Sequence, residues 1–413
     1  MEGKPKALIV GAGLSAVWLP DKPGWATTII ERAPKIRGGG YVVSLSGRCL
    51  DVIKAVGLYE DLKAISYNVD MNVLYDNKGR ELISFNFENV HGGTESCAVC
   101  RVDLAALLAT TLSGSAIIRF NKTLEDAIEG QDEQKIRATL RSGEIVEADL
   151  LIGADGIRSS VRNMFWKNED CLQDLGLCYA TYGVGQTEPL KASCVSFNSL
   201  GHLDILYRLW DDRLAALHIW RDDGSALQGR GLGFALLRKV IPGPPRIAQV
   251  IDIAEKSGSS SIIDSLTLVK LQQWSKGRIL LLGDAAHCLT LLSGQGAAMT
   301  LVSAEILGKE LVATEDITKA LVNHDKKLRS TIVRLQDRSK RLTSNYIPKN
   351  AFMYYLGNLL MRFLPNSWIV SWHSSGAEMD LIEEGKVEPR SSRMRQCIYA
   401  FFQAKIVTRQ RSR

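Results

Sequence analysis

Short, uninterrupted apolar runs punctuate the first part of the chain: Ala7 to Val10, Thr27 to Ile30 and Asp149 to Ile152. Each is bounded by glycine or acidic turn residues and none alternates with polar positions, the pattern of a strand buried on both faces in a parallel sheet. Between about 176 and 225 the texture changes. Ile205 to Trp210, the Asp211-Asp212 break and Leu214 to Trp220 read as the two arms of a hairpin in an antiparallel sheet. Arg278 to Leu282 then returns to the buried-strand style and runs through a glycine loop into an apolar helix from about Gly296 to Val312, so the first domain is re-entered. After Asn345 comes a Met/Leu/Trp-rich helical stretch to about Trp372. The pattern predicts an α/β chain: a Rossmann-like domain on a parallel sheet (1–70, 95–175 and 275–344), an antiparallel-sheet domain (71–94 and 176–274), and a C-terminal helical segment with a tail (345–413).

Composition changes this picture little. With 413 residues, 46% hydrophobic and 23% charged, the chain can bury a large core and split into two or three parts. Charge matters only at one end: Arg390 to Arg413 carries seven Lys/Arg and no acid, and removing it takes the formal charge from +6 to −1. No globular face is therefore assigned to nucleic acid. Eight cysteines with one close pair, Cys97 and Cys100, make neither a disulfide framework nor, with no second pair or His ligands accompanying that pair, a metal site. Reduced thiols in a cytoplasmic protein without a metal are expected. Only six residues precede the first strand, too few for a signal peptide.

Candidate chemistry sits at the strand ends. Gly11-Ala12-Gly13-Leu14-Ser15-Ala16 follows the first strand and Glu31-Arg32 ends the second. Such glycines let the backbone approach a pyrophosphate at a helix N-terminus, and the acid meets ribose hydroxyls. Two departures weaken this copy: Ala16 replaces the third glycine, and Pro20 interrupts the helix that should follow. Gly283-Asp284-Ala285-Ala286-His287, then Ser293-Gly294-Gln295-Gly296 opening a helix, carry more weight. A carboxylate at a strand end accepts hydrogen bonds from a polyol, and a glycine loop at a helix start offers N–H groups and a positive dipole. A flavin needs both, because its ribityl chain bears hydroxyls and its N1–C2=O edge becomes anionic on reduction. Gly153-Ala154-Asp155-Gly156 is a small-residue turn able to lie against a cofactor, with Arg158 and Arg162 beyond it for nucleotide phosphates. Arg101 begins a helix with the apolar face Leu104, Leu107, Leu108 and Leu112, where a cation opposes the macrodipole unless Asp103 or a cofactor oxygen offsets it.

In this order the four segments resemble the FAD-dependent aromatic hydroxylases of the para-hydroxybenzoate hydroxylase fold, the group A flavin monooxygenases, over residues 5 to about 315. Arg37-Gly38-Gly39-Gly40-Tyr41 is similar to the branch that includes tetracycline-inactivating monooxygenases. The resemblance implies FAD as cofactor and NADPH or NADH as co-substrate. It places Gly11, Gly13, Glu31 and Arg32 on the ADP half and Arg101 on the flavin-proximal part. Asp155 and Gly156 would contact both cofactor and nicotinamide nucleotide, Asp284 the ribityl or pyrophosphate region, and Gly294, Gln295, Gly296 and Ala297 the isoalloxazine. It implies that NAD(P)H reduces the flavin, O2 adds to it, and one oxygen atom passes to an electron-rich ring or alkene of a small molecule, in secondary metabolism. Against the family pattern, Ser44 stands where the branch often has a carboxylate, and Leu289 and Leu291 replace prolines.

By the same resemblance the substrate would lie over the antiparallel sheet, against strands that include Arg208, His218 and Trp220. Alternation puts His218 and Trp220 on one face, either that of the pocket or its opposite. Tyr346 to Trp372, broken by Pro348 and Pro365, is expected to pack as a lid. It has no run of roughly 18 uncharged apolar residues to span a bilayer. The alternative is contact with a membrane surface, helped by the basic tail and Tyr399-Ala400-Phe401-Phe402. Because the dinucleotide turn is eroded, two other functions stay open: a redox-silent cyclase or isomerase that keeps the pocket, and a non-catalytic binding protein.

Overall fold

The computed structural model describes residues 4–363 except 16–23, 37–41, 68–70, 87–94, 113–115, 131–134, 168, 186, 189, 210–212, 223–224, 228–232, 242 and 348–349. Ala16, Pro20, the Arg37–Tyr41 segment and the basic tail thus lie outside the described residues.

The apolar runs pair side by side. Lys6–Val10 runs parallel to Leu150–Gly153 on one flank and to Ala26–Glu31 on the other. Ile279–Leu281 and Ala116–Phe120 extend the sheet in the same direction, and the two-residue Ser275–Lys276 closes one edge antiparallel. Ala7 to Val10, Leu150 to Gly153 and Ile279 to Leu281 are buried at every position, so they show no alternation. The apolar helix Gly296–Ala313 covers this core, backed by Arg48–Ala55 and the 30-residue helix Ile317–Tyr346. An antiparallel meander, Leu124–Glu129, Ile136–Leu140 and Ile145–Ala148, packs against the first strand. Parallel strands deliver their C-terminal ends to one edge. Because the chain places its second strand on one side of Lys6–Val10 and a much later one on the other, a crevice opens between those ends.

A second, seven-stranded sheet runs in the order Ile262–Val269, Leu172–Gly185, Leu214–Arg221, His202–Arg208, Cys194–Ser199, Met71–Asp76, Glu81–Asn86. It contains the expected hairpin, with His202 opposite Trp220 and Arg208 opposite Leu214. Strand parity sorts its side chains. Tyr182, Leu206 and Trp220 pack with the helices Phe234–Val240 and Pro245–Lys256, whereas Tyr179, Ile205, Tyr207 and Leu217 face the crevice.

Of the stretch 346–372 expected as a lid, the helix Ala351–Phe363 does not cover the crevice, and 348–349 and 364–372 lie outside the described residues. The helix packs on the outer strand Glu81–Asn86, and buried Tyr354 donates its hydroxyl to the Asn198 carbonyl at 3.0 Å. None of its described residues lines the crevice. No described helix is long and apolar enough to cross a membrane.

Candidate active site

The crevice between the two sheets is a cavity of about 1720 Å³, beyond the roughly 300–1,000 Å³ typical of a site for one small ligand. It has room for a dinucleotide and a second molecule. At the parallel-sheet edge its walls are Gly11, Gly13, Glu31, Arg32, Asp155, Gly156 and Asp284, joined by Arg101, Gly294, Gly296 and Ala297. Twelve residues were expected at the cofactor, and of these Gln295 alone does not reach the wall.

The first turn is shaped by close backbone packing. Gly11 has φ +96°, and a Cβ there would sit 2.7 Å from the Ala154 carbonyl oxygen and from Asp155 Cα. Its N–H donates to Ile30 O at 2.8 Å, while the Glu31 carboxylate accepts from Ala12 N at 3.0 Å and Ala33 N at 2.9 Å. Glu31 is thereby fixed at the strand end, in the cavity wall. Asp155 Oδ2 accepts from the Ser160 backbone N–H at 2.6 Å and its hydroxyl at 2.8 Å. Its Oδ1 is buried without a partner.

The second loop is held from behind. Gln336, on the long helix Ile317–Tyr346, donates to Val269 O at 2.7 Å and Cys288 O at 3.3 Å, and Ser339 donates to Leu289 O. Sequence reasoning missed both residues, whose only signal was the amphipathic period of that helix. Burial pushes the Cys288 thiol well up, with Asp284 adding to the effect and Arg162 and Arg101 opposing it. Thr290 takes φ +63°, a conformation bulky residues hold only when their surroundings impose it, and its Oγ1 is buried unpaired, as is Gln295 Oε1. The helix Gly296–Ala313 starts without a side-chain cap, so its first N–H groups stay available at the cavity wall. Around Gly156, Gly294 and Gly296, nothing lies within 4 Å of where a Cβ would be. Leftover acceptors call for hydroxyls or a ring N–H, an uncapped helix start for an anion, and open glycine positions for something flat. FAD meets all three demands.

The expected substrate-side residues are corrected by strand parity. His218 is fully buried on the helix-covered face, its Nδ1 2.7 Å from Asp204 Oδ1 and its Nε2 2.7 Å from Tyr182 Oη. Trp220 is 2% exposed on the same face, and Arg208 is an exposed strand end. None of the three lines the cavity. The wall on that side is instead Asn72, Cys194, Ser196, Ile205, Tyr207 and Leu217, with Tyr67 beside them. Arg162, expected at phosphates, is buried and donates to Ala285 O at 3.0 Å and to Ile157 O, stapling the Asp155 turn to the Asp284 turn. Arg158 does line the cavity, paired with Asp264 at 2.7 Å. Ser44 and Leu291 are also in the wall, while Leu289 is buried in the core.

Two buried histidines behind this loop make stability pH-dependent. Burial, with His324 and Arg329 adding to it, pushes His287 down to about 3, and burial pushes His324 to about 4. Both titrate near 6.5 when unfolded. The unfolded chain therefore takes up protons that the native one refuses, so stability is whole above pH ~6.5 and falls toward pH 4 by up to about 1.4 kcal/mol per pH unit per histidine. Urea midpoints measured from pH 7 to 5 should show this slope, and His324→Gln should roughly halve it. An unchanged slope in that variant would remove His324 from the account.

The comparisons with known proteins agree with this geometry. The family described as FAD binding domain matches residues 4–165. A flavin-dependent monooxygenase of Legionella longbeachae serogroup 1 (strain NSW150) is 26% identical over 317 residues, covering 70% of this chain and 76% of its own length. Among solved structures, tetracycline destructase Tet(55) superposes with a TM-score of 0.77 at 22% identity, over 94% of this chain and 100% of that one. Klebsiella pneumoniae HpxO, complexed with FAD and uric acid, does so with a TM-score of 0.76 at 19% identity, over 92% of this chain and 98% of that one. The structural likenesses establish the fold; beyond it, this chain carries a match to the FAD binding domain over residues 4–165 and is similar in sequence to flavin-dependent monooxygenases over 70% of its length.

Proposed function

We propose that the protein inserts one oxygen atom, by hydroxylation or epoxidation, into a small electron-rich organic molecule, using FAD, NADPH or NADH, and O2. The observation that carries this reading is that one continuous cavity joins the nucleotide-type sheet edge to the wall of the seven-stranded sheet, which is antiparallel except where Cys194–Ser199 and Met71–Asp76 run parallel. When bound, FAD supplies the chemistry: it accepts a hydride from the nicotinamide and reacts with O2. The chain's own work is placement and electrostatics. Glu31 would hold the ribose end, Gly11 and Gly13 would let the backbone come up to the diphosphate, and Asp284 would take ribityl hydroxyls. The start of the Gly296–Ala313 helix would offer N–H groups and its positive end to the flavin, favouring the negative charge gained on reduction. Ile205, Leu217 and Leu291 line the far side with hydrocarbon and exclude water from the reacting region.

The expected result is a yellow purified protein, or one that turns yellow on FAD reconstitution, which oxidises NADPH with matching O2 uptake and does so faster when its substrate is added. Turnover of a substrate by FAD-loaded protein without NADPH or O2 would instead establish a redox-silent cyclase or isomerase. A protein that stays colourless with excess FAD would refute the flavin reading.

A further inference from the structure

We infer that the outward face of the helix Ala351–Phe363, together with the basic residues 390–413, docks the protein on an anionic lipid surface. Such docking is separate from the proposed reaction: it concerns where the protein works, not what it does there.

The helix is firmly held and turns apolar residues outward. Asn350 Oδ1 accepts from Met353 N at 2.8 Å and caps the first turn. The inner side is anchored by buried Tyr354, whose hydroxyl accepts from Asn77 N at 3.4 Å and donates to Asn198 O at 3.0 Å. Phe352, Tyr355 and Leu359 follow one another at three- and four-residue steps, so they share the opposite side, and Met353 flanks it. Phe352 is 73% exposed, Tyr355 64%, Met353 54% and Leu359 53%. A helix packed on a sheet ordinarily turns charged residues to water. A cluster of large apolar side chains in their place marks a surface that meets another apolar phase.

The chemistry of this face and of the residues after it makes lipid the occupant. Among Phe352, Met353, Tyr355 and Leu359, only the Tyr355 hydroxyl offers a hydrogen bond by which a protein partner could be specified. Leu364 to Trp372, next along the chain, contains no charged residue and two tryptophans, the side chain that favours the boundary between headgroups and hydrocarbon. Residues 390–413 then supply seven Lys/Arg and no acid, with Tyr399, Phe401 and Phe402 among them. Each cation brought near an anionic leaflet strengthens binding about 5-fold. Other charges nearby do not replace this tail. In the hairpin turn beside Tyr354, Lys78 and Arg80 are offset by Asp76 and Glu81, and residues 364–389 carry five acids against Lys386. An apolar face of this size is a weak anchor alone, as is a basic segment, and stable peripheral binding takes two such signals. A second copy of the chain as occupant would instead bring two basic tails together, like charge against like.

The test is flotation of the full chain with vesicles of phosphatidylcholine, alone or with about 30% phosphatidylserine. Wild type is expected to float with the anionic vesicles, bound at least about 10-fold more tightly than to phosphatidylcholine, and to lose that margin as salt rises from about 0.05 to 0.5 M. Phe352→Ser/Leu359→Ser should weaken binding to the anionic vesicles at least about 10-fold. It should melt with wild type, because both side chains are mostly exposed. Met353→Ser, on the flank of the same face, should weaken binding about 3-fold and gives a second reading that a misfolded double variant cannot spoil. Arg409→Gln/Arg411→Gln/Arg413→Gln should remove most of the anionic preference. The proposal is overturned if wild type stays unbound with both lipids, if the anionic preference is missing or indifferent to salt, or if the helix variants bind as wild type does. It is also overturned if ultracentrifugation without lipid shows a dimer that Phe352→Ser/Leu359→Ser dissociates, because the face then belongs to a second copy. FAD content is read separately from the visible spectrum: a protein that floats without taking up flavin keeps the docking surface and loses the proposed reaction.

Discussion

Gly11→Ala is expected to yield a colourless protein whose FAD-free form melts on the order of 10 °C below FAD-free wild type. Two independent costs coincide at this residue. The backbone has φ +96°, where an L side chain is strained by about 1–3 kcal/mol. The new methyl would also lie 2.7 Å from Ala154 O and Asp155 Cα, and 2.9 Å from Ala154 C. These are backbone atoms of the neighbouring strand turn and cannot swing aside as a side-chain tip would. Overpacking of this kind adds roughly 1–3 kcal/mol, and at about 2–4 °C per kcal/mol for a larger domain the sum gives the stated shift. The same displacement moves Asp155 and separates Glu31 from the Ala12 N–H that fixes it. Cofactor retention and fold are thus lost together, measured by the visible spectrum of the purified protein and by thermal unfolding after FAD removal. A variant that stays yellow and melts with wild type would show that the two strand turns are not packed as described.

Gly296→Leu should separate those two effects. A Cβ at Gly296 meets nothing within 4 Å, and the residue opens the helix Gly296–Ala313 in an ordinary helical conformation. Leucine is the better helix former, so the FAD-free variant should be as stable as FAD-free wild type or better by up to ~1 kcal/mol. Its side chain, however, would fill the wall beside Gly294 and Ala297, the space assigned to the flat ring. FAD affinity is expected to fall at least about 100-fold, a loss of roughly 2.7 kcal/mol. Comparing FAD-free forms is essential, because bound cofactor stabilises wild type by mass action. Equilibrium titration with FAD decides the matter, and tight stoichiometric binding by the folded variant would move the ring away from this helix start.

How much of this was legible without coordinates depends on whether the signal is local. The short strand-end motifs are local: a glycine that must turn tightly, a carboxylate that must end a strand and a glycine pair that must open a helix leave their marks within a few residues. Gly11, Glu31, Asp155, Asp284 and Gly296 were readable for that reason, and they come together because parallel strands present their ends at one edge. The meander over 124–148, the pair Val42–Ser46 with Ser96–Cys100 and the helix Ile317–Tyr346 were not read. Their apolar positions are sparse and mixed with charge, and they gain their identity from the core they lie against. Gln336 and Ser339 are the extreme case. Each is an ordinary polar residue of a long helix until the fold brings the Cys288-Leu289 carbonyls to it.

By itself the amino-acid sequence determined the α/β architecture, the flavin-type turns and the antiparallel hairpin, because each is written in residues adjacent along the chain. Which face of that hairpin meets the cavity was decided only by tertiary structure. Alternation tells that His218 and Trp220 share a side but not which side, and the helices Phe234–Val240 and Pro245–Lys256 claimed it, leaving Ile205, Tyr207 and Leu217 for the pocket.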